Sequence, residues 1–430
     1  MNGVADNAPM NVRIEKLVYG GDGLARQAGA AVFIPFVLPG EEAKVRITER
    51  RKKFWRGEAL DISARSPDRV EAPCPYFTNC GGCHYQHAAY DAQLRYKEEI
   101  LRETLRRVGR IEWEGPVALH SSPPWHYRNR AQWKIRPDGA GAEIGYVRAA
   151  SDSLCAVSQC PIISPLLERT LGALRELLRE DTRFEGLREV ECFADHADEH
   201  ITLTAEFTGW PRGAAQLATV LQERIAGLQS VLFGNARRQK EMVWGDGFLT
   251  YQAAGHEYRV SHGSFFQVNR YLIDKLGERV AAVAGEGAVA LDLFSGVGLF
   301  SLLLAKECGR VFAVESNLTA ARDLDVNAQG AKGNIEAWHA DVAEFLRKSR
   351  TTPDAVVLDP PRAGLSPDAL HRLCKLRPAR IVYVSCEPST LARDLAAFRE
   401  RGYALAGIDL FDLFPETYHM ESLALLAPRG

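Results

Sequence analysis

From about residue 285 the chain alternates strand-like and helix-like segments, and this pattern limits the fold more than any other feature of its 430 residues. The apolar runs "VALDLF", "RVFAVE", "IEAWHAD", "DAVVLDP" and "RIVYVSC" are separated by helical stretches, whereas "YALAGIDLF" and "SLALLAP" follow with no helix between them. Strands joined through helices run parallel, because each crossover returns the chain to the same end of the sheet. The pattern predicts a Rossmann-like, doubly wound α/β sheet of seven strands whose last two form an antiparallel hairpin. Ligands of such sheets sit at the carboxyl ends of the strands.

Those ends carry acids. Asp292 closes the first strand, Glu315 the second, Asp341 the third and Asp359 the fourth. After Asp292 the chain turns through Phe294, Gly296 and Gly298 into a helix ("LDLFSGVGLFSLLLA"), where glycines let backbone approach a ligand and the first amides of the helix offer donors. Glu315 can accept from both hydroxyls of a ribose. A dinucleotide-binding turn also places an acid about 20 residues after its glycines, but it requires a third glycine where this chain has Ser301. The more open turn and the terminal hairpin resemble those of class I S-adenosylmethionine-dependent methyltransferases.

The fifth strand ends in "YVSCEPSTLARDL". A thiol there is commonly a packing residue, since free cysteine is among the most buried residue types. Yet Cys386 directly precedes Pro388, Ser389 and Thr390, a helix start, and a helix N-terminus favours the thiolate. The nine cysteines are an odd number and clustered, which argues against a disulfide framework and for metal binding or catalysis. In "CPYFTNCGGCHYQH", Cys74, Cys80 and Cys83 have five and two residues between successive thiols, and Cys160 could supply a fourth. Three close thiols and one distant suit an iron–sulfur cluster; zinc, with His84 or Cys155 as an alternative ligand, stays open.

The amino-terminal part reads differently. Short alternating runs over residues 11 to 66, punctuated by glycine and proline, predict a small five-stranded β-barrel of OB-like type. Lys44, Arg46, Arg50, Arg51, Lys52, Lys53 and Arg56 fall within thirteen residues, opposed only by Glu49, so a basic edge exists although the net charge is −2. Cations there would track a nucleic-acid backbone while Phe54 or Trp55 stacks on a base; a solvated edge strand is the plainer alternative. Residues 91 to 109 predict a helix with Leu94, Leu101, Leu105 and Val108 on one face, and residues 125 to 260 an α+β region with one clear helix, "SPLLERTLGALRELLRE". At 46% apolar and 25% charged the chain is of globular composition. No run approaches the roughly 18 apolar residues of a membrane span. The start has no basic-then-apolar leader, so a cytoplasmic location and no membrane partner are expected.

Taken in order, "CPYFTNCGGCHYQH", "SFFQVN", "LDLFSGVGLFSL", "VLDPPRAGL", "YVSCEPSTLARDL" and "LFPETYHMESLALL" resemble the RNA 5-methyluridine methyltransferases, most closely the bacterial 23S ribosomal RNA uracil-5-methyltransferases, and the barrel resembles a TRAM domain. The resemblance covers nearly the whole chain. It implies a TRAM barrel over residues 1–66, an iron–sulfur α+β domain over 67–92 and 126–260, and a catalytic domain over 93–125 and 261–430. It implies Cys386 as nucleophile and Glu421 as base, with Gln267, Phe294, Gly296, Glu315, Asp341 and Asp359 at the S-adenosylmethionine site. Cys74, Cys80, Cys83 and Cys160 would hold a 4Fe-4S cluster. The implied partner is RNA, 23S rRNA before or during ribosome assembly, with transfer RNA uridine-54 as the alternative substrate; no obligate protein partner is indicated. Leu299 stands where the glycine turn often continues with a cofactor-contacting asparagine.

The chemistry needs these residue types. Carbon 5 of uracil is a poor nucleophile until a thiolate adds to carbon 6 and makes an enolate, and a base must afterwards remove the carbon 5 proton. "DPP" also occurs in amino-methyltransferases, which need no thiol. Of Phe265 and Phe266, one ring could stack on the target base or the adenine, and either could be core. A non-catalytic RNA-binding module and radical methylation are the competing readings.

Overall fold

The computed structural model describes residues 8–138, 141–235, 241–330 and 333–429. The chain divides into two compact units. The first comprises Met1–Glu103, Val147–Cys155 and Phe414–His419; the second comprises Thr104–Tyr146, Ala156–Leu413 and Met420–Gly430.

In the first unit, six strands lie in the order Met10–Arg13, Glu42–Arg50, Phe54–Ala64, Ala30–Ile34, Gly23–Gln27 and Lys16–Leu17. One more strand forms than the sequence predicts, because Lys16–Leu17 is only two residues long and carries no periodicity of its own. Alternation does the rest. Along Glu42–Arg50 the residues Ala43, Val45 and Ile47 turn inward onto Val12, Ile14, Val32 and Ile34, while Lys44, Arg46 and Arg50 face water. The helix Tyr90–Arg107 buries Leu101 and Leu105 as the spacing predicts; it ends one residue short of Val108, which is therefore exposed.

Among the described residues, the second unit contains two large sheets and a two-stranded one, Phe248–Ala253 with His256–Ser261. Six consecutive strands of the first run Gly141–Val147, Arg130–Asp138, Leu187–Ala194, Ile201–Phe207, Leu228–Asn235 and Glu241–Gly245. Helices Pro165–Glu180 and Ala214–Arg224 lie against it. The first helix is the one legible in the sequence, opened by the hydroxyl of Ser164, which accepts from the amide of Leu167.

The other large sheet orders its strands Ile335–His339, Cys308–Glu315, Gly287–Leu293, Ala355–Leu358, Arg380–Ser385, Glu421–Pro428, Tyr403–Phe411 and Ala118–His120. The first five are parallel, and Glu421–Pro428 is antiparallel to both neighbours. Eight strands are present rather than the expected seven. The added one, Ala118–His120, is too short to show a period and pairs parallel to Tyr403–Phe411. Strand order reverses between Gly287–Leu293 and Ala355–Leu358, so the crevice expected of a doubly wound sheet opens above Asp292 and Asp359. Both strands lie mid-sheet, and Ala355–Leu358 is buried throughout. Among the described residues, no helix is long and apolar enough to cross a membrane.

Candidate active site

At the end of the first parallel strand the chain is bent sharply. Phe294 adopts a left-handed φ of 66°, and its amide and that of Ser295 both donate to the carbonyl of Val314, 3.0 Å away on the neighbouring strand. Asp292 is fully buried. One of its oxygens accepts from the Ser301 hydroxyl and the other, Oδ1, has no hydrogen-bond partner among the described residues; nor does the buried Ser295 Oγ. Burial, with Glu315 nearby, pushes the Asp292 carboxyl up to about 7. A Cβ on Gly296 would meet nothing within 4 Å, so open space faces the turn there, whereas one on Gly298 would come to 2.8 Å of Leu324.

Glu315 ends the next strand and faces this turn. Its carboxylate accepts from the amides of Gly296 (2.9 Å), Ser316 (2.8 Å) and Asn317 (2.6 Å), which fixes its position and leaves lone pairs for hydroxyl donors. Unpartnered buried acceptors, a fixed carboxylate and an open glycine turn fit a polar, cationic nucleoside ligand. Asp341 is exposed and caps the helix Val342–Lys348 by accepting from Ala343 (2.8 Å) and Glu344 (3.3 Å), a role the strand-end reading did not anticipate. Leu299 is buried at the start of its helix, and its carbonyl accepts from the Tyr258 hydroxyl at 3.2 Å.

The second half of the site is set by strand register. Ser385 pairs with Ser422 across the antiparallel ladder, so the next residues outward, Cys386 and Glu421, stand opposite each other at the sheet end. Asp359 follows the adjacent strand Ala355–Leu358 and accepts from Gln267 Nε2 at 3.4 Å. Glu421 is buried with Oε1 unpartnered among the described residues; burial and then the Asp359 charge hold its carboxyl well above the usual range. Burial, and secondarily Asp292, pushes Asp359 up to about 7.

The Cys386 thiol is pushed up to about 12, first by burial and then by Glu421 and Asp359; the charge and a hydrogen bond of Arg362 act against this. The helix Pro388–Glu400 does begin beside Cys386, yet the net effect of the surroundings is to raise the thiol, burial acting most strongly. Its N-cap is Glu387, whose carboxylate accepts from the Ser389 amide.

A family described as tRNA (Uracil-5-)-methyltransferase matches residues 89–429, most of the chain. The chain belongs to this family. Like its other members, it is an S-adenosylmethionine-dependent RNA (uracil-5-)-methyltransferase. A TRAM domain matches residues 8–60. The chain is 33% identical over 427 residues to an uncharacterized RNA methyltransferase of Aquifex aeolicus, covering 97% of this chain and 98% of the relative. It is 32% identical over 430 residues to the 23S rRNA (uracil(1939)-C(5))-methyltransferase of Shewanella woodyi, covering 97% and 96%. Among solved structures, the tRNA (uracil-54, C5)-methyltransferase of Pyrococcus abyssi in complex with S-adenosyl-L-homocysteine superposes with a TM-score of 0.76 at 28% identity, covering 97% of this chain and 100% of that one.

For a uracil-5-methyltransferase, the remaining expectations divide. Of the paired phenylalanines, Phe266 is core, with its ring 4.8 Å from Tyr251 and 5.7 Å from Tyr258, whereas Phe265 is 62% exposed. Arg362, which opposes the rise of the Cys386 thiol, was not singled out from the sequence, although it completes the quoted "DPPR". Cys74, Cys80 and Cys83 are half-buried in the first unit and Cys160 is buried in the second. The Gly82 amide points at Cys80 Sγ from 3.4 Å, a contact that suits a thiolate ligand. Even so, no group of three or more His, Cys, Asp or Glu among the described residues is arranged to hold a metal ion. On the barrel edge all seven cations are exposed, but Arg46 pairs with Glu58 and Arg56 with Asp22, while Arg50 lies 4.7 Å over the Trp55 ring.

Proposed function

We propose that this chain methylates carbon 5 of a uridine in 23S rRNA through a covalent adduct between Cys386 Sγ and carbon 6 of the base. The observation that carries the reading is the register that sets Cys386 opposite the buried Glu421, with Asp359 and Arg362 close enough to act on the thiol. S-adenosylmethionine supplies the methyl group; Phe294, Gly296, Glu315 and Asp341, with Asp292 beside them, are the residues that would hold it, and Gln267 and Asp359 would border both it and the uracil.

Sulfur attacks carbon 6, and the carbon 5–carbon 6 electron pair moves onto carbon 5 and the neighbouring carbonyl as an enolate. Arg362 favours the thiolate over the resting thiol. Once carbon 5 has been methylated, Glu421 removes the proton left on it. That electron pair re-forms the double bond as the carbon–sulfur bond breaks and the thiolate leaves. A carboxylate desolvated by burial is a stronger base than one in water, which suits Glu421 to abstracting a proton from carbon. Gln267 and Asp359 can present an amide and a carboxyl to the uracil edge, and exposed Phe265 can stack on the base as it leaves the RNA stack.

The 23S rRNA assignment rests on the relative from Shewanella woodyi, which spans almost the full chain. The Pyrococcus abyssi neighbour favours uridine-54 of transfer RNA as the second reading. A non-catalytic RNA-binding module is disfavoured by two raised carboxyls, Asp359 and Glu421, beside one thiol. An iron–sulfur cluster on Cys74, Cys80, Cys83 and Cys160 rests on the loop spacing and the amide aimed at Cys80; it would be structural or RNA-positioning, since neither thiol addition nor methyl transfer moves an electron.

The test is incubation with S-adenosylmethionine and 5-fluorouridine-containing fragments of 23S rRNA or transfer RNA. A denaturation-resistant adduct should form with the ribosomal fragment and be lost in Cys386→Ala. Methylation by the alanine variant would remove the thiol mechanism, and adduct formation only on transfer RNA would reassign the substrate.

A further inference from the structure

The two halves of the site are joined by one helix, and the joint is made by residues with no place in the chemistry. The helix Leu318–Gln329 starts at the cofactor half: Asn317, its N-cap, donates its amide to Glu315 and accepts from Thr319 and Ala320 at 3.0 Å. About two turns further on, Leu324 is the side chain that would meet a Cβ on Gly298 of the glycine turn.

Asp323 and Asn327, at i and i+4, therefore share a face, and both reach out of the helix to the segment Arg259–Ser264. Asp323 is almost fully buried. Its Oδ1 accepts from Arg259 Nε (3.1 Å) and Ser261 Oγ (2.6 Å), and its Oδ2 from the Ser261 amide (2.8 Å) and Ser264 Oγ (2.7 Å). Asn327 brackets the Arg259 peptide, accepting from its amide at 2.8 Å and donating to its carbonyl at 3.1 Å; its Nδ2 also donates to Val297 of the glycine turn at 2.9 Å. After Ser264 come exposed Phe265, buried Phe266 and buried Gln267, the last in contact with Asp359.

We propose that Asp323 and Asn327 are positioning residues: they fasten the segment that presents Phe265 and Gln267 to the helix that begins at Glu315, so that the cofactor half and the base half of the site hold one fixed relation. A carboxylate suits the task at position 323, because four donors converge on it and an amide oxygen could accept only about half of them. A thousandfold effect is not required of such a residue; misplacement of the reacting partners by about 1 Å costs on the order of a hundredfold. This inference rests on the proposed function, in that Gln267 is taken to serve the base.

The experiment is a double-mutant cycle on the full-length protein with Gln267→Ala, using Asp323→Asn and the milder Ser264→Ala, which removes only the loop hydroxyl. Measured quantities are kcat and KM for RNA methylation and the Kd of S-adenosylhomocysteine. Asp323→Asn should lower kcat by about tenfold to a hundredfold and Ser264→Ala by a smaller factor, with the Kd of S-adenosylhomocysteine changed by less than about threefold. In the Gln267→Ala background either substitution should cost no more than about twofold further, since the group being positioned is already gone. If the losses multiply instead, or cofactor affinity falls in step with kcat, the two residues are structural supports and the proposal is overturned. Should Asp323→Asn not fold, Ser264→Ala decides alone, and wild-type kcat in that variant overturns the proposal. An unimpaired Gln267→Ala enzyme would instead remove the role of Gln267 in the proposed function, a distinct result.

Discussion

Asp359 and Glu421 beside Cys386, and Asp292 at the glycine turn, lie well above their usual range because burial removes water before any cation compensates. A raised carboxyl stabilises the fold while protonated, so the contribution of Asp292 is complete below about pH 4, its unfolded value, and is lost as pH rises through about 7. Asp292→Asn should therefore raise the stability of the ligand-free protein at pH 8 by about 1–4 kcal/mol and leave it nearly unchanged at pH 4, read from urea unfolding at the two pH values. In catalysis the sign is reversed: the site needs ionised carboxylates, so kcat/KM at limiting RNA should rise with pH through about 7, and Asp359→Asn should weaken that inflection while the part due to Asp292 remains. Glu421→Gln should still add Cys386 to the base and accept the methyl group, then stall. A methylated adduct should accumulate on a denaturing gel, and its absence would take the base role from Glu421. The acids themselves are readable in the sequence because each ends an apolar run. Their shifted titration is not, since it depends on how many other carboxyls the register brings alongside.

At the scale of elements, two local devices hold the site open. The glycine turn needs Gly298 for a φ of 97° and for the close approach of Leu324, so Gly298→Ala should cost about 2–4 kcal/mol, with the left-handed backbone alone accounting for about 1–2 of it. Chemical denaturation measures that loss, and the affinity for S-adenosylhomocysteine should fall with it. The other device is the ladder between Arg380–Ser385 and Glu421–Pro428, whose antiparallel register decides which residues face each other at the strand ends. Parallel strands and their helices were legible from periodicity, as was the final hairpin. Ala118–His120 and Lys16–Leu17 were not, because two or three residues carry no period; their pairing is decided by neighbours far away in the chain. Asp341 shows the same limit. An acid between a strand and a helix can serve a ligand and an N-cap alike, and the cap on Ala343 and Glu344 is visible only in the structure.

Across the molecule, charge separates a near-neutral whole from a basic edge on the amino-terminal sheet. Arg46 and Arg56 are already engaged by Glu58 and Asp22, which leaves Lys44, Lys52 and Lys53 among the cations able to meet phosphates. RNA affinity should fall steeply with salt, and Lys52→Ala or Lys53→Ala should each reduce the slope of log affinity against log salt by about 0.7–1 without changing kcat at saturating RNA. An unchanged slope would assign RNA binding to another surface. By itself, the sequence determined the parallel α/β sheet, the amino-terminal β-strands, and the thiol and acids that any such chemistry needs, because hydrophobic period and residue type are local properties. Only the tertiary structure decided that Glu421 stands across from Cys386, that Arg362 opposes two carboxylates at the thiol, and that Asp323 joins the halves of the site. Those facts depend on register and burial, which arise when segments distant in the chain pack together and exclude water.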